Sequence, residues 1–329
     1  MFSGTSGWSR DRITDRQPLA AHAGESGAQL ERAVLDGTTP VVVKTFTCDN
    51  DIAMRLSDDT GRAAELFLDG SLDRLPAGVT HALLDAWPQG SGWVQVMEDV
   101  GAGLISLDQP VVPTADLRRI VRAAAEVHAA YWQAPPTGLV PLTRRLELMM
   151  PTFLEARHED GNAFVAWMLE GWECFWDLVD PDIRTAVRAI HGHPERVGER
   201  LATDGTTLLH GDLWLQNVAL LGDKVAFIDW ALATDGPPAV EWAYFLGVNH
   251  WQLECTHEEV LDLVLEAERG RLNEATMDVG LLWGLASYGW NKAFHAATNE
   301  DPDVKAREAA DLDWWVNRAR RTLETWAPA

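Results

Sequence analysis

The sequence predicts an α+β fold of two lobes, in which a small antiparallel β-sheet with one helix precedes a larger, mainly helical part. Strand-like segments separated by turn signals fill most of the first 110 residues, whereas helical periodicity dominates residues 111–329. The helical part carries one strand-like stretch, at residues 208–230. The flexible, polar residues 98–103 separate the two patterns, so we expect an N-terminal unit at 1–100 and a C-terminal unit at 101–329.

Composition and charge exclude several classes of protein. A chain of 329 residues with 47% hydrophobic residues can build a sizeable folded core. The net charge of −23 disfavours binding to nucleic acid or to an anionic membrane, and it weakly favours cationic partners. Three scattered cysteines without a CxxC pair indicate neither a disulfide framework nor a zinc site. Because the N-terminus has no apolar segment and no apolar run reaches eighteen residues, we expect a soluble, cytoplasmic protein.

The predicted N-terminal sheet is built from two strand pairs. The first pair is Gln29–Leu35 and residues 40–46, with an Asp-Gly turn signal between them. Residues 57–60 have the composition of a helix start, and Gly70 is a stop signal for that helix. The second strand pair is predicted at residues 83–87 and 93–97.

Helices are predicted for most of the C-terminal part. Thr114 can cap a helix whose apolar residues recur at helical spacing, and His128 and Tyr131 share that spacing. His128 is interpreted as a buried histidine of the core. Further helices are predicted near residues 143–158, 161–178, 182–192, 194–202, 239–250, 256–268, 275–298 and 304–326.

The strand-like stretch in the helical part carries the chemistry. It reads LLHGDLWLQNVALLGDKVAFIDW and places Asp212, Asn217 and Asp229 at the edges of apolar runs. A carboxylate there is costly to desolvate unless a cation or a moving proton meets it. Phosphoryl transfer from ATP needs such groups. We therefore interpret Asp212 as the catalytic carboxylate that orients the acceptor hydroxyl and takes its proton, and Asn217 and Asp229 as Mg²⁺ ligands.

These residues also carry a resemblance to a known family. His-Gly-Asp-x4-Asn followed by Ile-Asp-Trp resembles the signature of the aminoglycoside phosphotransferase and choline kinase-like family, whose members have a protein-kinase-like fold. The residues match the family signature specifically at 210–217 and 226–230. The order and spacing of the candidate motifs along the chain support the resemblance over about residues 20–250. The Asp-Leu-Trp at 212–214 is also similar to the fructosamine kinase-like branch.

The resemblance implies a nucleotide site in the N-terminal lobe. Lys44 resembles the lysine that contacts the α- and β-phosphates, and Glu65 resembles the helix residue that forms an ion pair with it. The loop at residues 24–27, which includes Ser26, resembles the hairpin that covers the phosphates. The segment that resembles the adenine-binding hinge contributes three further candidates: Met97, Glu98 and Val100.

Two residues near the motif are expected to support it rather than react. The family usually has an aspartate where this chain has Glu241, after Gly236-Pro237-Pro238. We therefore expect Glu241 to brace the predicted catalytic loop, which is residues 210–217. His210 is expected to order the same loop through hydrogen bonds.

The resemblance implies a kinase that uses ATP or GTP with Mg²⁺ and phosphorylates a hydroxyl of a small molecule. An aminoglycoside-like or amino-sugar antibiotic is the first interpretation, which implies a role in antibiotic resistance. Acids such as Glu170 and Glu173 and tryptophans such as Trp290 are candidates for holding a cationic acceptor. The alternatives are a metabolic kinase for a glycated amine, an amino sugar or a choline-like acceptor, and a non-catalytic nucleotide-binding regulator. The sequence leaves the oligomeric state open.

Overall fold

An antiparallel sheet forms the N-terminal lobe. The computed structural model describes residues 10–19, 27–47, 49, 51–109, 111–157 and 162–326. The strands in this part of the chain are β1 (Ile13–Pro18), β2 (Gln29–Leu35), β3 (Thr39–Thr47), β4 (Val79–Thr80), β5 (Leu83–Gln89) and β6 (Gly92–Glu98). Five of them pair in the order β1-β2-β3-β6-β5. The four predicted strands are confirmed, and β1 adds an edge strand that the sequence pattern did not predict.

Two short helices follow β3, of which the sequence predicts the second. They are α1 (Ile52–Ser57) and α2 (Arg62–Leu68), and α2 lies between the predicted helix start at residues 57–60 and the stop signal at Gly70. Asp58 ends α1 in the left-handed conformation, with φ 51°. The side chain of Asp59 then accepts hydrogen bonds from two backbone amides at the start of α2. The predicted helix is present as α2, whereas α1 was not predicted. One aspartate ends α1 and the next caps α2.

The C-terminal lobe is mainly helical, as predicted. Within the described residues, no helix is both long and apolar enough to cross a membrane. The helices are α3 (Thr114–Ala130), α4 (Leu142–Glu147), α5 (Pro151–Ala156), α6 (Ala163–Leu178), α7 (Pro181–Gly192), α8 (Pro194–Leu201), α9 (Pro238–Asn249), α10 (His257–Ala267), α11 (Glu274–Thr298) and α12 (Pro302–Thr325).

One predicted helix, at residues 143–158, is divided into α4 and α5. Met150 lies between them with an extended backbone, at φ −81° and ψ 138°, and Pro151 occupies the first turn of α5. Since the residue before a proline disfavours the helical conformation, the chain turns there and starts a new helix.

Short strands bring the polar motif to the boundary between the lobes. They are β7 (Thr207–Leu209), β8 (Val218–Leu221), β9 (Lys224–Phe227) and β10 (Thr234–Gly236). β7 pairs with β10, and β9 lies between β8 and the short strand β4. The two segments that precede and follow the motif are thus fixed by hydrogen bonds to other parts of the chain.

Helix α11 forms the centre of the C-terminal lobe and packs against α6, α9 and α12. Its glycines allow this close approach. A Cβ at Gly280 would lie 2.9 Å from both the Cβ and the carbonyl oxygen of Ala239, at the start of α9. Neither atom belongs to a flexible side chain that could move away, so α9 and α11 require glycine here.

We expect Gly280→Ala to lower the free energy of unfolding by about 1–3 kcal/mol, because the added methyl group forces α9 and α11 apart. Urea denaturation followed by tryptophan fluorescence measures the effect. Gly192→Ala is the matched control, since a Cβ at Gly192 meets nothing within 4 Å. If both variants unfold at the same urea concentration, the close helix contact does not limit stability.

Candidate active site

The polar motif forms a loop between β7 and β8, and its end meets the residue that follows β9. The amide of Ile228 donates a hydrogen bond to the carbonyl oxygen of Asn217 at 2.9 Å. This bond places Asp229 beside Asn217. The amide nitrogen Nδ2 of Asn217 donates to both the backbone oxygen and Oδ2 of Asp212, each at 3.0 Å. Asp212, Asn217 and Asp229 therefore converge, as the sequence predicts.

Asp212 is a half-buried carboxylate with a hydrogen bond at each oxygen. Oδ2 accepts from Asn217, and Oδ1 accepts from the phenol of Tyr244. Burial raises the pKa of Asp212, and the negative charge of Asp229 adds to that rise, while the hydrogen bond from Tyr244 opposes it. The net pKa is above the ordinary value, which suits a group that accepts a proton.

Asp229 forms an ion pair with Lys44 across the two lobes. Nζ of Lys44 lies 2.8 Å from Oδ2 of Asp229. Burial alone would raise the pKa of Asp229, but the charge and hydrogen bond of Lys44 outweigh it and the pKa is lowered. Burial likewise opposes the charge of Lys44, yet Asp229 raises the net pKa of the ammonium group. Both groups are therefore held in their charged forms.

The expected ion pair between Lys44 and Glu65 is not formed in this structure. Asp229 takes the ammonium group instead, and the buried carboxylates of Asp51 and Asp59 stabilise its charge further. Glu65 lies in the first turn of α2. There its negative charge favours the charged form of Arg62. The expectation is corrected on this point, and a part for Glu65 in nucleotide binding stays a prediction.

Arg62 connects α2 to the C-terminal lobe. Its side chain is buried, and its Nε donates to the carbonyl oxygen of Gly138 at 3.0 Å. Its Nη1 donates to the carbonyl oxygen of Ala231, two residues after Asp229. The segment that carries Asp229 is thus tied directly to the N-terminal lobe.

The segment expected to bind adenine begins at the end of β6. Met97 and Glu98 are the last residues of that strand, and Met97 packs into the hydrophobic core. The amide of Glu98 donates to Ala82 at 2.9 Å, whereas within the described residues the amide of Val100 has no hydrogen-bond acceptor. Among the described residues, this backbone donor at the end of the sheet therefore has no protein partner. Ser26 lies outside the described residues.

Glu241 braces the catalytic loop in the way the sequence predicts. Its carboxylate is buried and accepts hydrogen bonds from the amides of His210, at 2.5 Å, and Gly211, at 3.1 Å. His210 in turn bonds the carbonyl oxygen of Ile228 through Nε2 at 2.9 Å and the amide of Asp212 through Nδ1 at 3.3 Å. These bonds fix the loop on both sides of Asp212.

Gly211 is a position that only glycine can occupy. Its backbone has φ 81°, and an added Cβ would lie 1.8 Å from the carbonyl oxygen of Leu232. The loop therefore passes against the segment that follows Asp229.

Four supporting residues are not assigned to the site by the motif. Tyr244 bonds Asp212, and Asn249 bonds the backbone of Leu213 and Leu215. Arg145 is buried and donates to the carbonyl oxygen of Gly211 at 3.0 Å. The fourth is His128, which lies between two buried carboxylates, those of Glu241 and Glu268. A buried histidine was predicted, but no local pattern in the sequence connects these residues to the loop.

Another cluster of ionisable groups lies around α10 and α12. His257 bonds Asp311 at 2.7 Å, and Lys292 lies 2.6 Å from the second oxygen of the same carboxylate. The ring of His257 is stacked between His250 and Trp314, at centroid distances of 3.4 Å and 3.9 Å. Because the two imidazole planes are nearly parallel, their nitrogen lone pairs cannot point at a common metal ion. This cluster is a packed ion-pair network.

The candidates for a cationic acceptor are dispersed. Trp290 is only 4% exposed and packs against Trp167 in the core, so it cannot stack on a ligand in this conformation. Glu170 and Glu173 line a surface cavity together with Trp172 and Trp176. None of the residues that line this cavity belongs to the catalytic loop.

Sequence comparison places the middle of the chain in a known family. The family described as the phosphotransferase enzyme family matches residues 66–275, which is more than half of the chain. A comparison with curated proteins gives no match.

Solved structures with a similar fold include small-molecule kinases. Choline kinase LicA from Streptococcus pneumoniae has a TM-score of 0.53 and 15% identity, covering 93% of this chain and 94% of that chain. A choline/ethanolamine kinase family protein from Mesorhizobium loti has a TM-score of 0.53 and 11% identity, covering 95% and 93%. Aminoglycoside phosphotransferase APH(3'')-Id from Streptomyces rimosus has a TM-score of 0.46 and 18% identity, covering 82% and 96%. The fold is protein-kinase-like, as predicted.

We expect the buried His128 to make stability depend on pH in the alkaline range. Burial opposes its charge, but the carboxylates of Glu268 and Glu241 raise its pKa from the ordinary 6.5 to about 9. Its contribution is therefore complete below pH 6.5 and is lost as the pH rises through about 9, at a cost of about 3 kcal/mol.

Chemical denaturation between pH 6 and pH 10 measures this dependence. His128→Gln should be less stable at pH 7 and should lose the part of the alkaline decline that His128 causes. The exposed His193, changed to Gln, is the control and should keep the wild-type profile. An unchanged decline in His128→Gln would show that His128 is not charged in the folded protein.

Proposed function

The chain belongs to the phosphotransferase enzyme family, and from that premise we propose that it transfers the γ-phosphate of ATP to a hydroxyl of a small molecule. One observation carries the proposal. Two carboxylates and an amide, from Asp212, Asp229 and Asn217, converge opposite the ammonium group of Lys44. Phosphoryl transfer depends on positioning and charge stabilisation, and these are the groups it requires.

The donor atoms of Asn217 and Asp229 fit Mg²⁺. Nδ2 of Asn217 is used by Asp212, so its carbonyl oxygen Oδ1 is left for another partner. The carboxylate of Asp229 is kept ionised by Lys44 and remains about one third exposed. Mg²⁺ prefers such oxygen ligands, and when bound it would neutralise the charge of the phosphates.

Asp212 would act as the base. The acceptor O–H bond breaks and its proton passes to this carboxylate, while the acceptor oxygen forms a bond to the γ-phosphorus. The bond from the γ-phosphorus to the bridging oxygen breaks, and ADP carries away that electron pair. The raised pKa of Asp212 favours acceptance of the proton.

The remaining nucleotide contacts are proposed from the N-terminal lobe, which we take as residues 1–100. Lys44 would contact the phosphates, Glu65 and Ser26 would support them, and the hinge at Met97, Glu98 and Val100 would face adenine. The amide of Val100, which has no acceptor within the described residues, is a suitable donor to a ring nitrogen. An adenine nucleotide is supported by the structure of LicA in complex with AMP, which has a TM-score of 0.50 with this chain. ATP as the donor would place the reaction in the cytoplasm.

Two acceptor classes are proposed. An aminoglycoside-like or amino-sugar antibiotic fits the sequence motif and the net charge of −23, and it would make the protein a resistance enzyme. A choline-like metabolic acceptor is favoured by a different observation, because both choline kinase neighbours described above reach a TM-score of 0.53. A non-catalytic regulator is disfavoured, since the chain keeps the catalytic carboxylate, both metal ligands and the lysine.

We expect Asp212→Asn to reduce phosphate transfer by about 10²–10⁴-fold while ATP binding stays within about twofold, because the variant keeps the shape of the side chain but cannot take a proton. ADP release is measured with Mg²⁺·ATP and a panel of amino sugars, aminoglycosides, choline and glycated amines, and ATP affinity by calorimetry. The acceptor that stimulates ADP release identifies the substrate class.

Asp223→Asn is the matched control, since this carboxylate lies exposed in the turn between β8 and β9. It should leave transfer unchanged. Wild-type turnover in Asp212→Asn would contradict the proposed function.

A further inference from the structure

Helix α9 holds the catalytic loop through three side chains. Glu241 accepts hydrogen bonds from the amides of His210 and Gly211, and Asn249 donates to the carbonyl oxygen of Leu213, the residue after Asp212, at 3.0 Å. Between these contacts, the phenol of Tyr244 donates a hydrogen bond to Oδ1 of Asp212. Tyr244 therefore contacts the carboxylate of Asp212 itself, whereas Glu241 and Asn249 bind backbone atoms of the loop.

The ring of Tyr244 is fixed by its surroundings. It is 7% exposed, and it packs edge-on against Tyr288 at a centroid distance of 5.2 Å. The guanidinium of Arg145 lies 4.9 Å from its centroid and is itself held by the hydroxyl of Tyr288 at 2.8 Å. The phenol cannot leave Asp212 without disturbing this buried group.

The two hydrogen bonds to Asp212 define the orientation of its carboxylate. Tyr244 holds Oδ1, and Asn217 holds Oδ2 at 3.0 Å. Rotation about the Cβ–Cγ bond would break both. Each carboxylate oxygen can accept a second hydrogen bond, so an acceptor hydroxyl can still bind. Proton transfer depends strongly on this alignment.

We propose that Tyr244 is a positioning residue that aims the carboxylate of Asp212 at the acceptor hydroxyl. The proposal rests on the proposed function, since it requires that Asp212 take the proton. During transfer the proton of the acceptor moves to Asp212, while Tyr244 keeps its own proton and its hydrogen bond. Burial and the charge of Asp212 raise the pKa of Tyr244 well above its ordinary value, which is consistent with a phenol that stays protonated.

Tyr244→Phe tests the proposal by removing one oxygen atom. We expect kcat for ADP release from Mg²⁺·ATP, with water as the acceptor, to fall about 10- to 100-fold, because a hydrogen bond to a charged group is lost. KM for ATP should stay within about twofold.

Tyr131→Phe is a closely matched control. Tyr131 is also buried, also donates its hydroxyl to an oxygen, that of Ser71, and also has an arginine over its ring, Arg74 at 4.4 Å. We expect wild-type kcat and wild-type KM for ATP from this variant. Equal losses in both phenylalanine variants would mean a general effect of removing a buried hydroxyl and would overturn the proposal.

3-Fluorotyrosine at position 244 provides a test that keeps the ring and the hydroxyl, and so remains informative if the phenylalanine variant folds poorly. Fluorine leaves the hydroxyl in place as a donor to Asp212, so kcat should stay within about threefold of the wild-type value, and a loss as large as that of Tyr244→Phe would overturn the proposal. Unchanged kcat in both variants, with Asp212→Asn inactive, would overturn the role of Tyr244 alone. An active Asp212→Asn would instead overturn the proposed function.

Discussion

The site is organised around a charge that has to be compensated, the carboxylate of Asp229 at the end of a buried strand. Lys44 compensates it at 2.8 Å, although the lysine is itself only 9% exposed. Because removing either partner would leave an uncompensated buried charge, the N-terminal sheet and the β8–β9 hairpin have to lie close together. If Lys44 and Asp229 separated, each would need a new partner of opposite charge. A nucleotide bound with a divalent cation would provide both, a phosphate for Lys44 and a metal ion for Asp229.

The catalytic loop depends on a second set of buried charges. Arg271 binds Glu268, which binds His128, and His128 lies beside Glu241. Glu241 then binds two amides of the loop. Positive and negative groups alternate along this chain of contacts, so each buried charge has an opposite neighbour. Asp212 is therefore carried on a rigid support that extends into the centre of the C-terminal lobe.

Local patterns were enough to predict most of the fold and part of the site. Alternating apolar residues and turn signals were enough to predict β2, β3, β5 and β6. The spacing of the motif was enough to predict that Asp212 lies close to Asn217 and Asp229. Contacts between residues far apart in the sequence were not predictable. Lys44, for example, pairs with Asp229, 185 positions away, rather than with Glu65. Tyr244 was missed because α9 is buried on nearly all sides, so its tyrosine looks like any core aromatic.

The most direct test of this account is a crystal structure with Mg²⁺ and a non-hydrolysable ATP analogue. We predict a metal ion bound by oxygen atoms of Asn217 and Asp229 at about 2.0–2.1 Å, with the ammonium of Lys44 on the phosphates. Asp212 should face the γ-phosphate without binding the metal. A metal ion held by other residues, or a nucleotide bound away from Lys44 and Asp229, would contradict the account.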